Sequence, residues 1–367
     1  MIQGHGGNIF ALADELGCRP EDIVDMSSNI NPLGTMPGLI QHLREHLDRI
    51  RVLPEVDGRL AIRSIATLLG IAEERILAGG GTTQFIYAAC AALNSRKVLI
   101  VGPTYADYAD GCRMHGQEPD FFLATAATGF APDPERLEEA LGGHDTVFLC
   151  NPNNPTGQLI PHTALLRLCR RHPGVRFIID ESYLPFVASE EARGMGHCGL
   201  DNVLVLWSVS KIFGMPGLRA GFLIANAAIL EGFRRYMQPW SVNSLAQEAV
   251  RFLGDNGAAA TAFVARTHNY LATEGRLFRE RMQPAHLTLY PSRTSYFLMA
   301  LPKPLKAESV CRALARQRIL IRNCSNFHGL DAGYIRIALK DAATNEAVAG
   351  HLLDVVGIGP GGIEEKS

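Results

Sequence analysis

The chain is constrained most by a series of short, continuously apolar segments, each closed by a polar turn rich in glycine, proline or hydroxyl residues. They predict strands over Arg75–Ala78, Lys97–Val101, Thr146–Cys150, Arg176–Ile179, Val203–Trp207 and Ala220–Ala225. Helical spacing fills the gaps, as at Thr83–Leu93 and Thr163–Arg171. An apolar segment that does not alternate must be covered on both faces. The pattern therefore specifies an α/β fold with a mostly parallel central sheet between helical layers.

From about Ala258 the pattern changes. A long helix over Ala258–Met282 precedes an extended segment at Tyr296–Ala300 and a helix near Glu308–Gln317. Short strands follow at Ile319–Arg322 and Tyr334–Leu339, then a last helix near Thr344–Val355. This reads as a smaller α+β unit. The division is a large domain over 41–257 and a small one over 258–356. Residues 1–40 are expected to pack with the small domain, and 357–367 to be a disordered tail.

Composition excludes several function classes. The 367 residues carry 35 Lys+Arg against 37 Asp+Glu, a net charge of -2. No basic excess marks a nucleic-acid partner, and no acidic tail marks a basic one. The eight cysteines form no CxxC pair, so no metal or redox motif is written, and a reducing cytoplasm fits. "MIQGHGGNIF" lacks the order of a signal peptide, and no run of about 18 apolar residues predicts a membrane span.

Ligands of open α/β sheets bind beyond the carboxyl ends of the strands, so the turns there carry the chemistry. "GGGTTQF", with Gly81, Thr82 and Thr83, reads either as a phosphate cradle at a helix N-terminus or as a tight strand-to-helix turn. "GPTYADY" puts Tyr105 past a strand end, where it either stacks on a planar ligand or fills core. "NPNNPTG" is a constrained turn able to fix Asn154 as a donor. In "DESYLPF", Asp180 ends a buried strand and is costly without a cationic partner, unless it caps a helix; Tyr183 follows it. "SVSKIFGMPGLRAGF" puts Lys211 among Ser208, Ser210 and Arg219, as a Schiff-base candidate or a surface lysine. Together these turns ask for one ligand: planar, cationic at a ring nitrogen, phosphorylated and able to form an imine. Pyridoxal 5'-phosphate meets all four demands.

On these motifs the chain resembles the fold-type I pyridoxal-phosphate enzymes, the class I/II aminotransferase family, over nearly its whole length. The resemblance implies that Lys211 forms the imine and Asp180 pairs with the ring nitrogen. Tyr183 and Asn154 would bind the ring's phenolic oxygen, and Tyr105 would stack on the ring. Gly81, Thr82, Thr83, Ser208, Ser210 and Arg219 would hold the phosphate. Arg336, in "YIRIAL", would take a substrate carboxylate through a bidentate fork. A homodimer with the active site at its interface is implied as well.

The ends of the chain, "HGGN", "DMSSNINPLG" and "ILIRNCSNFHGL", are similar to the subgroup that decarboxylates L-threonine O-3-phosphate in cobalamin biosynthesis. That likeness implies that His5, Asn31 and Arg322 bind a substrate phosphate. Transamination of histidinol phosphate or a related amino acid is the alternative. So is a non-catalytic regulator domain, although no basic DNA-binding segment precedes the fold. Three positions depart from the family pattern. Leu53 stands where a tyrosine often reaches the partner subunit, Gln84 where Glu is frequent, and Asp331-Ala332-Gly333 lacks a basic residue.

Overall fold

The computed structural model describes residues 6–189 and 193–357. Its strands are β1 (Val24–Asp25), β2 (Ile76–Gly79), β3 (Val98–Gly102), β4 (Asp120–Leu123), β5 (Thr146–Cys150), β6 (Arg176–Asp180) and β7 (Val203–Ser208). These are followed by β8 (Gly221–Ile224), β9 (Thr288–Leu289), β10 (Tyr296–Ala300), β11 (Ile319–Leu320), β12 (Arg322–Asn323) and β13 (Tyr334–Ala338).

The large sheet has the order β2-β8-β7-β6-β5-β3-β4. Only β8 runs against its neighbours, pairing antiparallel with both β2 and β7. β3, β5, β7 and β8 are buried along their whole length, as uninterrupted apolar segments require. β4 has no such segment. It is an edge strand, exposed at Asp120 and Leu123, and apolar continuity does not reveal it.

A second sheet, β12-β13-β10-β9, carries its own core, including Phe278, Phe297, Val310, Ile335, Ile337 and Leu352. The helix Gly257–Met282 joins the two cores, placing Phe263 in the first and Phe278 and Met282 in the second. The expected continuous strand over 319–322 is split. Ile319 and Leu320 pair with Val24 and Asp25 of β1, whereas Arg322 and Asn323 turn to pair with Arg336 and Ile335 of β13. The buried Ile321 anchors the switch.

Described residues of the segment expected to pack with the smaller unit, 1–40, contribute to both cores. Met26 is fully buried in the second core, which stabilises it by about 1.5–3 kcal/mol. Met36 and Leu39 lie in the first core, and Thr35 Oγ1 donates to the Gly214 carbonyl at 2.7 Å. The segment therefore bridges both units. Almost all of the expected tail, 358–367, lies outside the described residues. Among the described residues, no helix is long and apolar enough to cross a membrane.

Candidate active site

The carboxyl ends of β5, β6 and β7 converge on one cavity, and β12 and β13 close it from the other side. The cavity has two chambers that share Tyr105, Asn154, Tyr183 and Lys211 on their common wall.

The inner chamber holds most of the residues singled out from the sequence: Gly81, Thr82, Thr83, Asp180, Ser208, Ser210 and Arg219. Two glycines, Gly81 and Gly221, shape a cradle because backbone must pass very close to other groups. A Cβ on Gly81, at φ +98°, would lie 2.6 Å from Arg219 Nη2. A Cβ on Gly221 would lie 2.3 Å from the Thr82 nitrogen. The helix Thr82–Leu93 then starts with no side chain capping its first turn, leaving donors that an anion satisfies. Gln84 has a structural task here: its Oε1 accepts the Gly80 N–H at 2.8 Å. Ser208 Oγ caps the short helix Val209–Ile212 by accepting from the Ser210 nitrogen, and Ser210 Oγ donates to the Ala220 carbonyl.

Asp180 is 6% exposed. Its Oδ2 accepts from the Tyr108 hydroxyl at 2.8 Å and its Oδ1 from the Ser182 nitrogen at 2.9 Å. Burial raises its pKa, against the pull of Ser182, Tyr108 and Lys211. Lys211 is half-buried on the turn after β7. Burial, then Arg219 and Arg336, push its pKa down to about 8, well below that of an ordinary lysine. Tyr183 is buried, its hydroxyl accepting from Asn29 Nδ2 at 3.3 Å, and burial pushes its pKa up to about 12. The "NPNNPTG" turn is held by its own side chains. Asn151 bonds both polar groups of Ile160, and Asn153 Nδ2 donates to the Pro103 carbonyl.

The outer chamber is lined by Gly6, Ser27, Ser28, Asn29, Arg322 and Arg336, among others. Arg336 is 4% exposed; it donates to Asn154 Oδ1 and to the Ser27 carbonyl, while its Nε is buried without a partner. Arg322 donates to Asn326 Oδ1 at 2.7 Å and lies over the Phe327 ring, and burial pushes its pKa down to about 10. Among the described residues neither arginine forms an ion pair.

Two substrate residues expected from the sequence need correction or qualification. Asn31 does not line the cavity. Its Nδ2 donates to the Ile212 carbonyl and to Thr267 Oγ1, and its Oδ1 accepts from the Leu33 nitrogen. It ties the N-terminal segment to the back of the Lys211 turn. Asn29, two residues earlier, is on the cavity wall with Oδ1 buried and unpartnered. The spacing in "SSNIN" gives both asparagines the same alternation, so sequence did not separate them. His5 lies outside the described residues. Its neighbour Gly6 packs on the Ser27 carbonyl, with its Cβ direction 3.5 Å from Arg322 Cδ. Sequence reasoning also missed Tyr108 and Ser182, whose signal was proximity to Tyr105 and Asp180 in the same motifs.

These residues fit pyridoxal phosphate. The inner chamber offers an amine, a buried carboxylate with both oxygens oriented, and a glycine cradle beside hydroxyls and a guanidinium. A profile for the family described as aminotransferase class I and II matches residues 21–356. The chain belongs to the class I and II aminotransferase family. Within that family it is 34% identical over 362 residues to a threonine-phosphate decarboxylase from Salmonella typhimurium, covering 97% of this chain and 98% of the relative. The structure is similar to the L-threonine-O-3-phosphate decarboxylase of Porphyromonas gingivalis, with TM-score 0.80 and 31% identity, covering 90% and 98% of the two chains. It is equally similar in shape to the histidinol-phosphate aminotransferase of Clostridium acetobutylicum, with TM-score 0.82 and 26% identity over 91% and 99%. Backbone shape therefore does not separate the two chemistries within this family.

Proposed function

We propose that this protein is a pyridoxal-phosphate-dependent decarboxylase that converts L-threonine O-3-phosphate to (R)-1-amino-2-propanol O-2-phosphate and carbon dioxide, as a step of cobalamin biosynthesis. The observation that carries the proposal is the pairing of Arg322 and Arg336 on facing strand positions in a chamber that opens onto Lys211. Two guanidinium groups without ion-pair partners among the described residues suit one small molecule with two anionic groups, a phosphate and a carboxylate. The full-length likeness to threonine-phosphate decarboxylases supports the choice of reaction.

Gly81, Thr82, Thr83, Ser208, Ser210 and Arg219 would hold the cofactor phosphate, and Tyr105 would cover the ring. Asn154 and Tyr183 would bond the phenolic oxygen. Asp180, oriented by Tyr108 and Ser182, would pair with the ring nitrogen and keep a proton there. When bound, the cofactor supplies an acceptor for the electron pair left at the substrate's Cα. Arg322 would hold the substrate phosphate, with Asn29 beside it. Arg336 would orient the carboxylate so that the bond to it, rather than the Cα–H bond, stands perpendicular to the ring. Lys211 Nζ, able to hold or release a proton near neutrality, would deliver the proton that replaces carbon dioxide at Cα.

A homodimer accords with an exposed apolar surface of Ile50, Val52, Leu53, Val56 and Trp240. Leu53 contributes apolar area there but no hydroxyl. The eight free thiols support a reducing, cytoplasmic setting. The division into 41–257 and 258–356 rests on two cores, the second drawn mainly from 278–356, with Ala260 and Phe263 of the helix Gly257–Met282 still packed in the first.

Incubating the cofactor-loaded protein with L-threonine O-3-phosphate and identifying the product by NMR tests the proposal. Aminopropanol phosphate supports it. Reaction only with histidinol phosphate and 2-oxoglutarate supports the aminotransferase instead, for which the structural likeness to the Clostridium enzyme speaks.

A further inference from the structure

Away from the cavity, His42 and His46 lie four residues apart on the helix Leu39–Glu45 and its C-terminal cap. That spacing puts both imidazoles on one helix face, the arrangement by which helical histidine pairs take a metal ion. The rings stack at 4.1 Å. His46 Nδ1 is 2.7 Å from the His42 carbonyl, which only accepts, so Nδ1 carries the proton. The lone pair is then on Nε2, where Arg251 Nη2 donates to it at 3.1 Å. Two contacts thus fix one tautomer. An N–H held by a backbone carbonyl is also the usual outer support of a metal-bound histidine. His42 Nε2 is buried without a hydrogen-bond partner, 3.5 Å from Glu248 Oε2. The Glu248 side chain is 4% exposed, and one ligand atom from each of the three residues lies within 4.8 Å of the others.

The space between these donors is already served by a cation. Arg251 donates through Nε and Nη2 to Glu248 Oε2 at 2.8 and 2.7 Å, as well as to His46. Arg49 reaches the other oxygen, Oε1, at 3.2 Å. Arg251 has a second carboxylate within reach, since Asp255 Oδ2 is 3.5 Å from its Nη1. It can leave Glu248 without losing a counter-charge.

We propose that His42, His46 and Glu248 form a binding site for a divalent transition-metal ion of the zinc type, in competition with the Arg251 guanidinium. Two imidazoles and one carboxylate suit zinc, cobalt or nickel rather than magnesium or calcium, which favour all-oxygen sites. Water completes the coordination. The bound ion staples the helix Leu39–Glu45 to the helix Ser244–Asp255, two segments that are some two hundred residues apart in sequence. The arginines keep the affinity modest, because an incoming ion must displace one positive charge and tolerate another.

The test is titration of the EDTA-treated full chain with cobalt(II) and zinc. Cobalt absorption reports the ligand set, and calorimetry with zinc reports stoichiometry. One ion per chain is expected, with a cobalt spectrum free of thiolate charge transfer. His42→Ala and Glu248→Gln should each lose it, with circular dichroism checking that the fold persists. Arg251→Gln should bind zinc at least about tenfold more tightly, a gain of about 1.4 kcal/mol, because the competing cation is gone. A merely structural salt-bridge cluster does not predict that gain. Three results would overturn the proposal: no stoichiometric ion in either wild type or Arg251→Gln; binding that survives in His42→Ala; or a thiolate spectrum.

Discussion

Arg322 of β12 and Arg336 of β13 are directly opposed Cα partners on antiparallel strands. Like charges in that position destabilise a sheet, by an amount similar to the roughly 0.2–1 kcal/mol that favourable pairs contribute. Their placement makes sense as a site that an anionic molecule completes. Arg322→Gln should therefore raise the thermal midpoint of the ligand-free protein slightly. The same variant should lower kcat/KM for the phosphorylated substrate by about 100-fold, equivalent to roughly 2.7 kcal/mol. Differential scanning calorimetry and steady-state kinetics on one preparation check both halves.

Tyr108 is expected to act through Asp180 rather than on substrate. Tyr108→Phe removes the donor to Asp180 Oδ2 in a buried setting, where a hydrogen bond to a charged group contributes about 1.5–3 kcal/mol. Cofactor affinity, measured by fluorescence quenching, should fall by about tenfold or more. The far-ultraviolet circular dichroism should stay unchanged.

Gly81→Ala tests the cradle. The new methyl would meet Arg219 at a backbone φ of +98°, which L side chains rarely adopt. Cofactor binding should weaken strongly, whereas Gly217→Ala, in open space nearby, should leave it unchanged.

Two buried groups give opposite pH signatures in the ligand-free protein. Lys211 falls from an ordinary value of 10.5 to about 8, so the unfolded chain binds more protons between those limits. Stability contributed at Lys211 should rise as pH climbs from about 8 to 10.5. Glu181 is raised from 4.5 to about 8 by burial, so its contribution is full below 4.5 and is lost as pH rises towards 8. Urea midpoints across pH 5–10 should show the first slope vanish in Lys211→Met and the second in Glu181→Gln. Unchanged slopes in either variant would assign the pH dependence elsewhere.

Much of the fold was legible because the buried strands are uninterrupted apolar runs that end at the chemically specialised turns. Asp180, Ser208 and Lys211 could be placed together from that alone. β4 was not legible, because an edge strand needs no apolar continuity, and the break at Ile321 was not, because it is decided by the pairing of Ile319 and Leu320 with β1, near the other end of the chain, against the pairing of Arg322 and Asn323 with the following strand β13. Asn29 and Asn31 could not be told apart, since only the path of the segment between two cores decides which one meets the cavity. The opposition of Arg322 and Arg336 is likewise a matter of strand register, which local sequence does not carry.

The most direct measurement is carbon dioxide release from L-threonine O-3-phosphate by the cofactor-loaded protein, with no 2-oxo acid present, followed over many turnovers. A decarboxylase gives sustained release, stoichiometric with aminopropanol phosphate. No release, together with transamination of histidinol phosphate once 2-oxoglutarate is added, would contradict the proposed reaction and leave the inner chamber as the site of an aminotransferase.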